Sequence, residues 1–158
     1  MINLLAPAAA RTDSAAQKPV ALAPPGNLAL HVLLAEDKLI NQQVAIHQLQ
    51  KLGCQVESAS NGAEAFSAVQ RTPFDVVLMD CQMPEMDGYT ASRLIRQWEQ
   101  ETSHRDHSPL HIIAITANVM KSDREKCLAA GMDDYLGKPV DLHELKAALK
   151  RAASHLGH

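Results

Sequence analysis

Five polar residues, widely separated along the chain, carry the groups that phosphoryl chemistry needs. Three are acidic, Glu36, Asp37 and Asp80, and the other two are Thr116 and Lys138. Carboxylates brought together raise one another's pKa, and a hard divalent cation with oxygen ligands removes that repulsion. With such a cation bound, the Asp80 carboxylate could attack a phosphorus atom and form an aspartyl phosphate. Lys138 would neutralise the phosphoryl oxygens, and the Thr116 hydroxyl would donate to one of them.

Each of these residues lies at or just beyond the end of a short segment that is predicted to be a strand. The apolar runs at residues 30–35, 75–79 and 111–115 are typical of buried strands, and weaker patterns mark two more. The predicted strands are residues 30–35, 55–59, 75–79, 111–115 and 134–136. The predicted helices are residues 39–52, 61–70, 88–100, 119–130 and 141–153, the last with Asp141 as its N-cap.

Strands and helices alternate along the whole pattern. The main strands are continuous apolar runs, which indicates burial on both faces and therefore a parallel sheet covered by helices on both sides. Five such units predict an α/β fold with an open, doubly wound, five-stranded sheet. Ligands of such sheets bind outside the carboxyl ends of the strands, so the five polar residues are expected to converge there.

Composition limits the classes of protein that this chain can belong to. Of its 158 residues, 46% are apolar and 21% are charged, which suits one globular domain with a tail. A net charge of -3 and an aromatic content of 3% argue against a nucleic-acid surface. The three cysteines are an odd number without a CxxC pair, which favours a reduced, cytosolic protein. No segment is long and apolar enough to cross a bilayer.

The chain is expected to divide into three parts. Residues 1–27 are rich in Ala and Pro and are predicted to form a flexible linker, which suggests an upstream domain. Residues 28–154 form the domain, and residues 155–158 form a short tail. A monomer is expected, because the pattern leaves no large surplus apolar face.

Five short motifs resemble the response-regulator receiver family, and they occur in the family's order on the expected elements. They are Glu36-Asp37, LMDCQMP at 78–84, Asp87-Gly88, AITA at 114–117 and Lys138-Pro139. The segment KSDREKCLAAGMDDYLGKPV at 121–140 is most similar to receivers of hybrid sensor histidine kinases. The resemblance covers about residues 30–154. It implies a flavodoxin-like sheet with strand order 2-1-3-4-5.

The resemblance also implies a role for each residue of the acidic site. Asp80 matches the family's phosphoacceptor. Asp37, Asp80 and the backbone carbonyl of Gln82 match ligands of a divalent metal, with Glu36 acting through a water molecule. The metal is expected to be Mg²⁺, with Mn²⁺ as the alternative.

A second implied group links phosphorylation to a change of shape. Thr116 and Tyr135 match the switch pair, in which the hydroxyl moves toward the phosphoryl group and the ring rotates inward. Gln82 and Asn118 stand two residues beyond Asp80 and Thr116, at positions that tune the lifetime of the phosphoryl group in this family.

The expected partner is a histidine kinase domain, a histidine phosphotransfer domain, or both. The phosphohistidine of that partner would be the donor, and the domain would relay the group or act as a switch, since no output domain follows it in this sequence. The docking face is expected to include Leu39, Ile40 and Gln43 of the first helix and the loop after Pro139. The domain is expected to be an autocatalytic phosphoacceptor, or the receiver segment of a sensor histidine kinase if it belongs to a longer chain. It is expected in the cytoplasm, alone or as the cytoplasmic part of a membrane-anchored kinase.

Two other functions remain open at this point. One is a receiver that binds a partner without being phosphorylated. The other is an aspartyl-phosphate phosphohydrolase, which is disfavoured because Gln82 stands where such enzymes need an acid.

Single residues also have simpler interpretations. Asp87 is expected to cap a helix, Cys81 to be a buried thiol, and a zinc site from His104, His107 and His111 is disfavoured by its loose spacing.

Overall fold

The computed structural model describes residues 28–101, 109–117 and 121–155. The predicted linker at 1–27, most of the predicted tail, and the residues Asn118, His104 and His107 lie outside the described residues. The elements in chain order are β1 (His31–Ala35), α1 (Leu39–Lys51), β2 (Gln55–Ala59), α2 (Gly62–Arg71), β3 (Val76–Asp80), α3 (Gly88–Glu101), β4 (His111–Thr116), α4 (Lys121–Ala129), β5 (Asp134–Gly137) and α5 (Leu142–His155).

The five strands form one parallel sheet with the order β2-β1-β3-β4-β5. This confirms the predicted α/β architecture and the strand order that the family resemblance implied. In the register, Ala35 pairs with Met79 and Asp80 pairs with Ile115. The carboxyl ends of β1, β3 and β4 are therefore level, and the residues that follow them share one edge of the sheet.

Neighbouring residues of each central strand enter two different cores, because side chains alternate between the faces of a sheet. Val76 and Leu78 of β3 belong to the core beneath α1 and α5, whereas Val77 and Met79 belong to the core beneath α2 and α3. Each fully buried side chain of this size contributes about 1.5–3 kcal/mol of burial energy. Helices thus cover both faces, as the continuous apolar strands predicted.

The buried face of α1 differs from the apolar pattern in its sequence. Ile40 is 75% exposed and Val44 is 53% exposed, whereas Gln42, Ala45 and Leu49 are buried. Gln42 tolerates burial because its side-chain Nε2 donates to the carbonyl oxygen of Glu36 at 2.5 Å. The helix therefore leaves apolar residues at the surface next to the carboxyl edge.

Two side-chain caps confirm predictions about helix starts. The Asp87 carboxylate accepts from the Thr90 N–H at 2.8 Å at the start of α3. The Asp141 carboxylate accepts from the Glu144 N–H at 3.2 Å at the start of α5. Each cap satisfies an amide that has no partner within its helix.

Candidate functional site

Glu36 and Asp37 lie in the turn between β1 and α1. The Glu36 N–H donates to the carbonyl of Ala59 at the end of β2, at 3.0 Å. Its side-chain Oε2 accepts from the Lys38 N–H at 3.0 Å. Glu36 is buried and Asp37 is half-buried. The turn is therefore fixed on both sides, and its two carboxylates are held at the sheet edge.

Asp80, the last residue of β3, completes a group of three acids. One carboxylate oxygen from each of Glu36, Asp37 and Asp80 lies within 4.8 Å of the others. Asp80 itself is 1% exposed. Three acids this close, two of them buried, form a donor set of hard oxygen atoms that suits a divalent cation such as Mg²⁺. The structure thus brings together the acids that the sequence predicted to converge.

Lys138 reaches the acids from the end of β5. Its Nζ lies 3.0 Å from Oδ2 of Asp80 and 3.6 Å from Oε1 of Glu36. The Lys138 N–H donates to the carbonyl of Thr116 at 2.8 Å, and the Lys138–Pro139 peptide is cis. The bond to Thr116 fixes the Lys138 backbone beside the end of β4, and its side chain extends from there to Asp80 at the end of β3.

The crowding of these groups appears in their pKa values. Burial is the largest influence on Glu36 and raises its pKa, and the negative charge of Asp80 raises it further against the opposing effects of the Lys38 N–H and Lys138. Burial alone would lower the pKa of Lys138. The hydrogen bond to Asp80 and the charges of Asp80, Glu36 and Asp37 outweigh it, so the pKa of Lys138 is raised. The acids carry more negative charge than Lys138 neutralises.

The loop after β3 begins with contacts to Asp80. The Gln82 N–H donates to Oδ1 of Asp80 at 3.1 Å, and the Cys81 N–H donates to the carbonyl of Ile115 at 3.0 Å. Gly88 closes the loop by donating its N–H to the carbonyl of Cys81 at 3.3 Å. A β-carbon at Gly88 would clash with the carbonyl oxygen of Asp80, so glycine is required for this close approach.

Thr116 and Tyr135 lie on neighbouring strands. Thr116 is buried at the end of β4, and Tyr135 is half-buried on β5, paired with Ala114 in the register. The Tyr135 hydroxyl accepts from Nη1 of Arg124 at 3.2 Å, and the Arg124 guanidinium carbon lies 5.8 Å from the centroid of the Tyr135 ring. Sequence reasoning missed Arg124, because one arginine in a strongly polar helix carries no distinguishing pattern.

Cys81 is a buried thiol, as the sequence suggested. Burial is the main cause that raises its pKa to about 12, and burial likewise raises the pKa values of Cys127 and Tyr89, which are hydrogen-bonded to it. All three cysteines are free and buried. A thiol with so high a pKa is almost wholly protonated at neutral pH, so Cys81 is a packing residue beside Asp80.

The fold and the acidic edge define a class of protein that sequence comparison also identifies. The family model described as the response regulator receiver domain matches residues 32–150. The chain therefore belongs to the response regulator receiver domain family, the phosphorelay receivers of two-component signalling.

Its curated relatives include a hybrid histidine kinase and a sensor histidine kinase. It is 39% identical over 125 residues to hybrid signal transduction histidine kinase K of Dictyostelium discoideum, covering 78% of this chain and 10% of the relative. It is 42% identical over 114 residues to the sensor histidine kinase GacS of Pseudomonas protegens, covering 72% and 12%. The chain thus spans about a tenth of the length of these relatives.

Among the residues that the structure describes, no helix has the length and apolar character of a membrane span.

Two solved structures resemble the fold closely. One contains the receiver domain of the response regulator Ssk1 with the histidine phosphotransfer protein Ypd1 from Saccharomyces cerevisiae. The match has 32% identity and a TM-score of 0.75, and covers 80% of this chain and 90% of that chain. The other is the receiver domain of a sensor histidine kinase of Pseudomonas aeruginosa with a magnesium ion coordinated in its active-site cleft. That match has 42% identity and a TM-score of 0.69, and covers 80% and 98%.

Proposed function

We propose that Asp80 accepts a phosphoryl group from a phosphohistidine of a partner protein and then relays it or holds it as a signal. One observation carries this proposal: the Asp80 carboxylate is buried among Glu36, Asp37 and Lys138 at the open edge of the sheet. In the transfer, an Asp80 carboxylate oxygen forms a bond to phosphorus while the phosphorus–nitrogen bond to histidine breaks. The imidazole leaves with its electron pair, and the product is an aspartyl phosphate.

Two contacts orient the Asp80 carboxylate before a donor arrives. The Gln82 N–H holds Oδ1, and the Lys138 ammonium holds Oδ2. A nucleophile that is already oriented avoids part of the entropic cost of the reaction. Before the transfer, the Lys138 ammonium pairs with Asp80. As negative charge develops on the phosphoryl oxygens, the ammonium would pair with one of those oxygens instead.

The acids fit a divalent metal, for which Mg²⁺ is the first choice and Mn²⁺ the alternative. Glu36, Asp37 and Asp80, with the backbone carbonyl of Gln82, would hold it. Such an ion neutralises negative charge on the attacking carboxylate and on the phosphoryl oxygens. Two features of this chain support the assignment, namely the raised pKa of Glu36 and the three clustered carboxylates. The magnesium ion in the related Pseudomonas aeruginosa receiver is a further support.

Thr116 and Tyr135 are proposed to transmit the phosphorylation. The Thr116 hydroxyl would move toward the phosphoryl group, and the Tyr135 ring would rotate inward. The added group carries about -1.5 to -2 charges at neutral pH, which biases an equilibrium between two conformations. The contact of Arg124 with the Tyr135 hydroxyl would have to break for the ring to turn inward.

The proposed docking surface is the exposed side of α1 with the loop that follows β5. Leu39, Ile40 and Val44 are 65%, 75% and 53% exposed, unusual values for large apolar residues of one helix. A cleft of about 400 Å³ continues from Val44 past Pro139 to Lys138. A helical phosphotransfer protein, as in the Ssk1 complex with Ypd1, would bring its histidine to Asp80 over this surface.

We further propose that the domain is a monomer and functions in the cytoplasm.

Intact-mass spectrometry with a small-molecule phosphodonor and Mg²⁺ tests the chemistry. We expect a single phosphoryl adduct that is lost in Asp80→Asn and after addition of a chelator. Asp75→Asn is the matched control, because Asp75 accepts from the His31 N–H at the start of β1, away from the carboxyl edge. Equal labelling of Asp80→Asn would refute the assignment. Unlabelled parent protein that still binds a phosphotransfer protein would favour the receiver that acts by binding alone.

A further inference from the structure

The loop of residues 81–87, which follows Asp80, is held by the first turn of α2 as well as by its own ends. Within the loop, the Met86 N–H donates to the carbonyl of Pro84 at 2.7 Å. At its far side, the Met86 carbonyl accepts from the Gly62 N–H at 2.9 Å. This second bond joins the loop to the N-terminus of a helix that carries none of the proposed metal ligands or switch residues.

Gly62 is the first residue of α2, and its missing side chain makes this contact feasible. A β-carbon there would lie 2.6 Å from the Met86 carbonyl oxygen and 2.9 Å from that of Asp87. Both are backbone atoms, so a larger residue would force the loop and the helix apart. Such a shift would move the loop that carries Gln82.

Asn61, just before Gly62, makes a second contact with the same loop. It is buried at 8% exposure, and its Oδ1 caps α2 by accepting from the Glu64 N–H at 2.9 Å. Its Nδ2 donates to Oε1 of Glu85 at 3.4 Å. Glu85 has a φ of +67°, a left-handed conformation that costs a residue other than glycine about 1 kcal/mol. The neighbouring contacts at Asn61 and Met86 help to offset that cost.

We propose that Asn61 and Gly62 are positioning residues for the divalent metal site. They act through the 81–87 loop, which they hold so that the Gln82 backbone is in place before the metal binds. This inference rests on the proposed metal site. If the loop had to be ordered during binding, part of the binding free energy would be lost and the affinity would fall.

Isothermal titration of the whole chain with Mg²⁺ tests the proposal through Gly62→Ala. We expect the dissociation constant for Mg²⁺ to rise about tenfold, a typical effect of losing support for a metal ligand. The backbone amide resonance of Gln82 in the metal-free protein should also shift. Glu64→Ala is the matched control. It removes the 2.8 Å bond from the Ser60 N–H to Glu64 Oε1 and weakens the start of α2 without touching the loop.

A second variant separates positioning from folding. Asn61→Ser keeps a good N-cap but is too short to reach Glu85. We expect it to weaken Mg²⁺ binding roughly threefold to tenfold with little loss of stability. Unchanged Mg²⁺ affinity in both variants, or in Asn61→Ser alone if Gly62→Ala does not fold, would overturn the proposal. Equal weakening by Glu64→Ala would also overturn it. Failure of the parent to bind Mg²⁺ would instead refute the metal site on which the inference rests.

Discussion

Two clusters of charged side chains lie near opposite ends of β4, and they differ in how their charges are balanced. At the amino end, Arg96 bonds to Glu99 at 2.9 Å and to Asp133 at 2.6 Å, and also donates to the carbonyls of Gly131 and Leu110. At the carboxyl end, Glu36, Asp37 and Asp80 face Lys138. The first cluster has two acids for one arginine, and both acids also accept from backbone N–H groups. The second has three acids for one lysine and therefore a larger excess of negative charge.

The difference teaches that a cluster of charged side chains alone does not mark a functional site. In the Arg96 cluster, Glu99 also accepts from the Leu110 N–H at 2.7 Å and Asp133 from the Ile112 N–H at 2.9 Å, so the charges tie α3 to β4. In the acidic cluster, the raised pKa of Glu36 indicates that ionisation is unfavourable without a further cation. The first cluster should stabilise the fold, and the second should weaken it until a cation binds.

Removal of Arg96 should have the largest effect on stability. Arg96→Ala removes one donor from two carboxylates and from two carbonyls, so we expect the free energy of unfolding to fall by about 2 kcal/mol. Urea denaturation measures it, with Arg93→Ala on the exposed face of the same helix as the control. Mg²⁺ affinity of the folded protein should stay within about twofold of the parent. A stability loss as small as that of Arg93→Ala would show that the network is not structural.

Removal of Lys138 should have a smaller effect that depends on the metal. With a chelator present, Lys138→Met should lower the free energy of unfolding by about 1.5 kcal/mol, because Asp80 and Glu36 lose their cation. Saturating Mg²⁺ should recover most of that loss, since a divalent cation replaces the lost charge. Urea denaturation with and without Mg²⁺ measures both values, and Lys150→Met on exposed α5 is the control. If Mg²⁺ did not reduce the stability loss of Lys138→Met, this would contradict the prediction that Mg²⁺ can neutralise the same acids as Lys138.

Neutralising one acid in each cluster should change the free energy of unfolding in opposite directions. In the presence of a chelator, Glu36→Gln should raise the free energy of unfolding by about 1 kcal/mol, because it removes the cost of burying a charge and the repulsion from Asp80. Glu99→Gln should lower it by about 1 kcal/mol, because it weakens the bonds to Arg96 and Leu110. Both values come from the same urea titrations. If both variants changed the free energy of unfolding in the same direction, the two clusters would not differ in the way proposed.

Much of the acidic cluster was predictable from the sequence, and the reason is the parallel sheet. The apolar runs at β1, β3 and β4 are strong local signals, and their carboxyl ends must meet once the strands are parallel. Residues immediately after those strands, such as Asp80, are therefore placed by topology. The strand order and the roles of Gln82 and Tyr135 came from family resemblance instead.

The Arg96 cluster was not predictable in the same way. Arg96 lies beside Ile95 in an amphipathic helix, where an arginine is ordinarily a solvated residue, and Asp133 lies in the loop between α4 and β5. Their contact depends on how α3 packs against the loop before β5. The contact of Asn61 with Glu85 is similar, because the N-cap is visible in the sequence but its second partner is set by tertiary packing. The exposure of Ile40 was expected from the family resemblance, whereas that of Val44 was not and accompanies the burial of Gln42 on the same helix.

The pH dependence of the Glu36→Gln effect should be the smallest and most specific signal. In the folded state, burial and the charge of Asp80 raise the pKa of Glu36 above its ordinary value of 4.5. Below that value both states are protonated, and Glu36 contributes nothing to the difference. As pH rises through the folded-state pKa, ionised Glu36 costs the folded state stability. The advantage of Glu36→Gln should therefore be present at pH 8, about 1 kcal/mol, and shrink toward zero as pH falls to about 4.5. Urea titrations in chelator between these limits measure it. An advantage that grows as pH falls would mean that the charge of Lys138 outweighs the effects of burial and of Asp80 on Glu36.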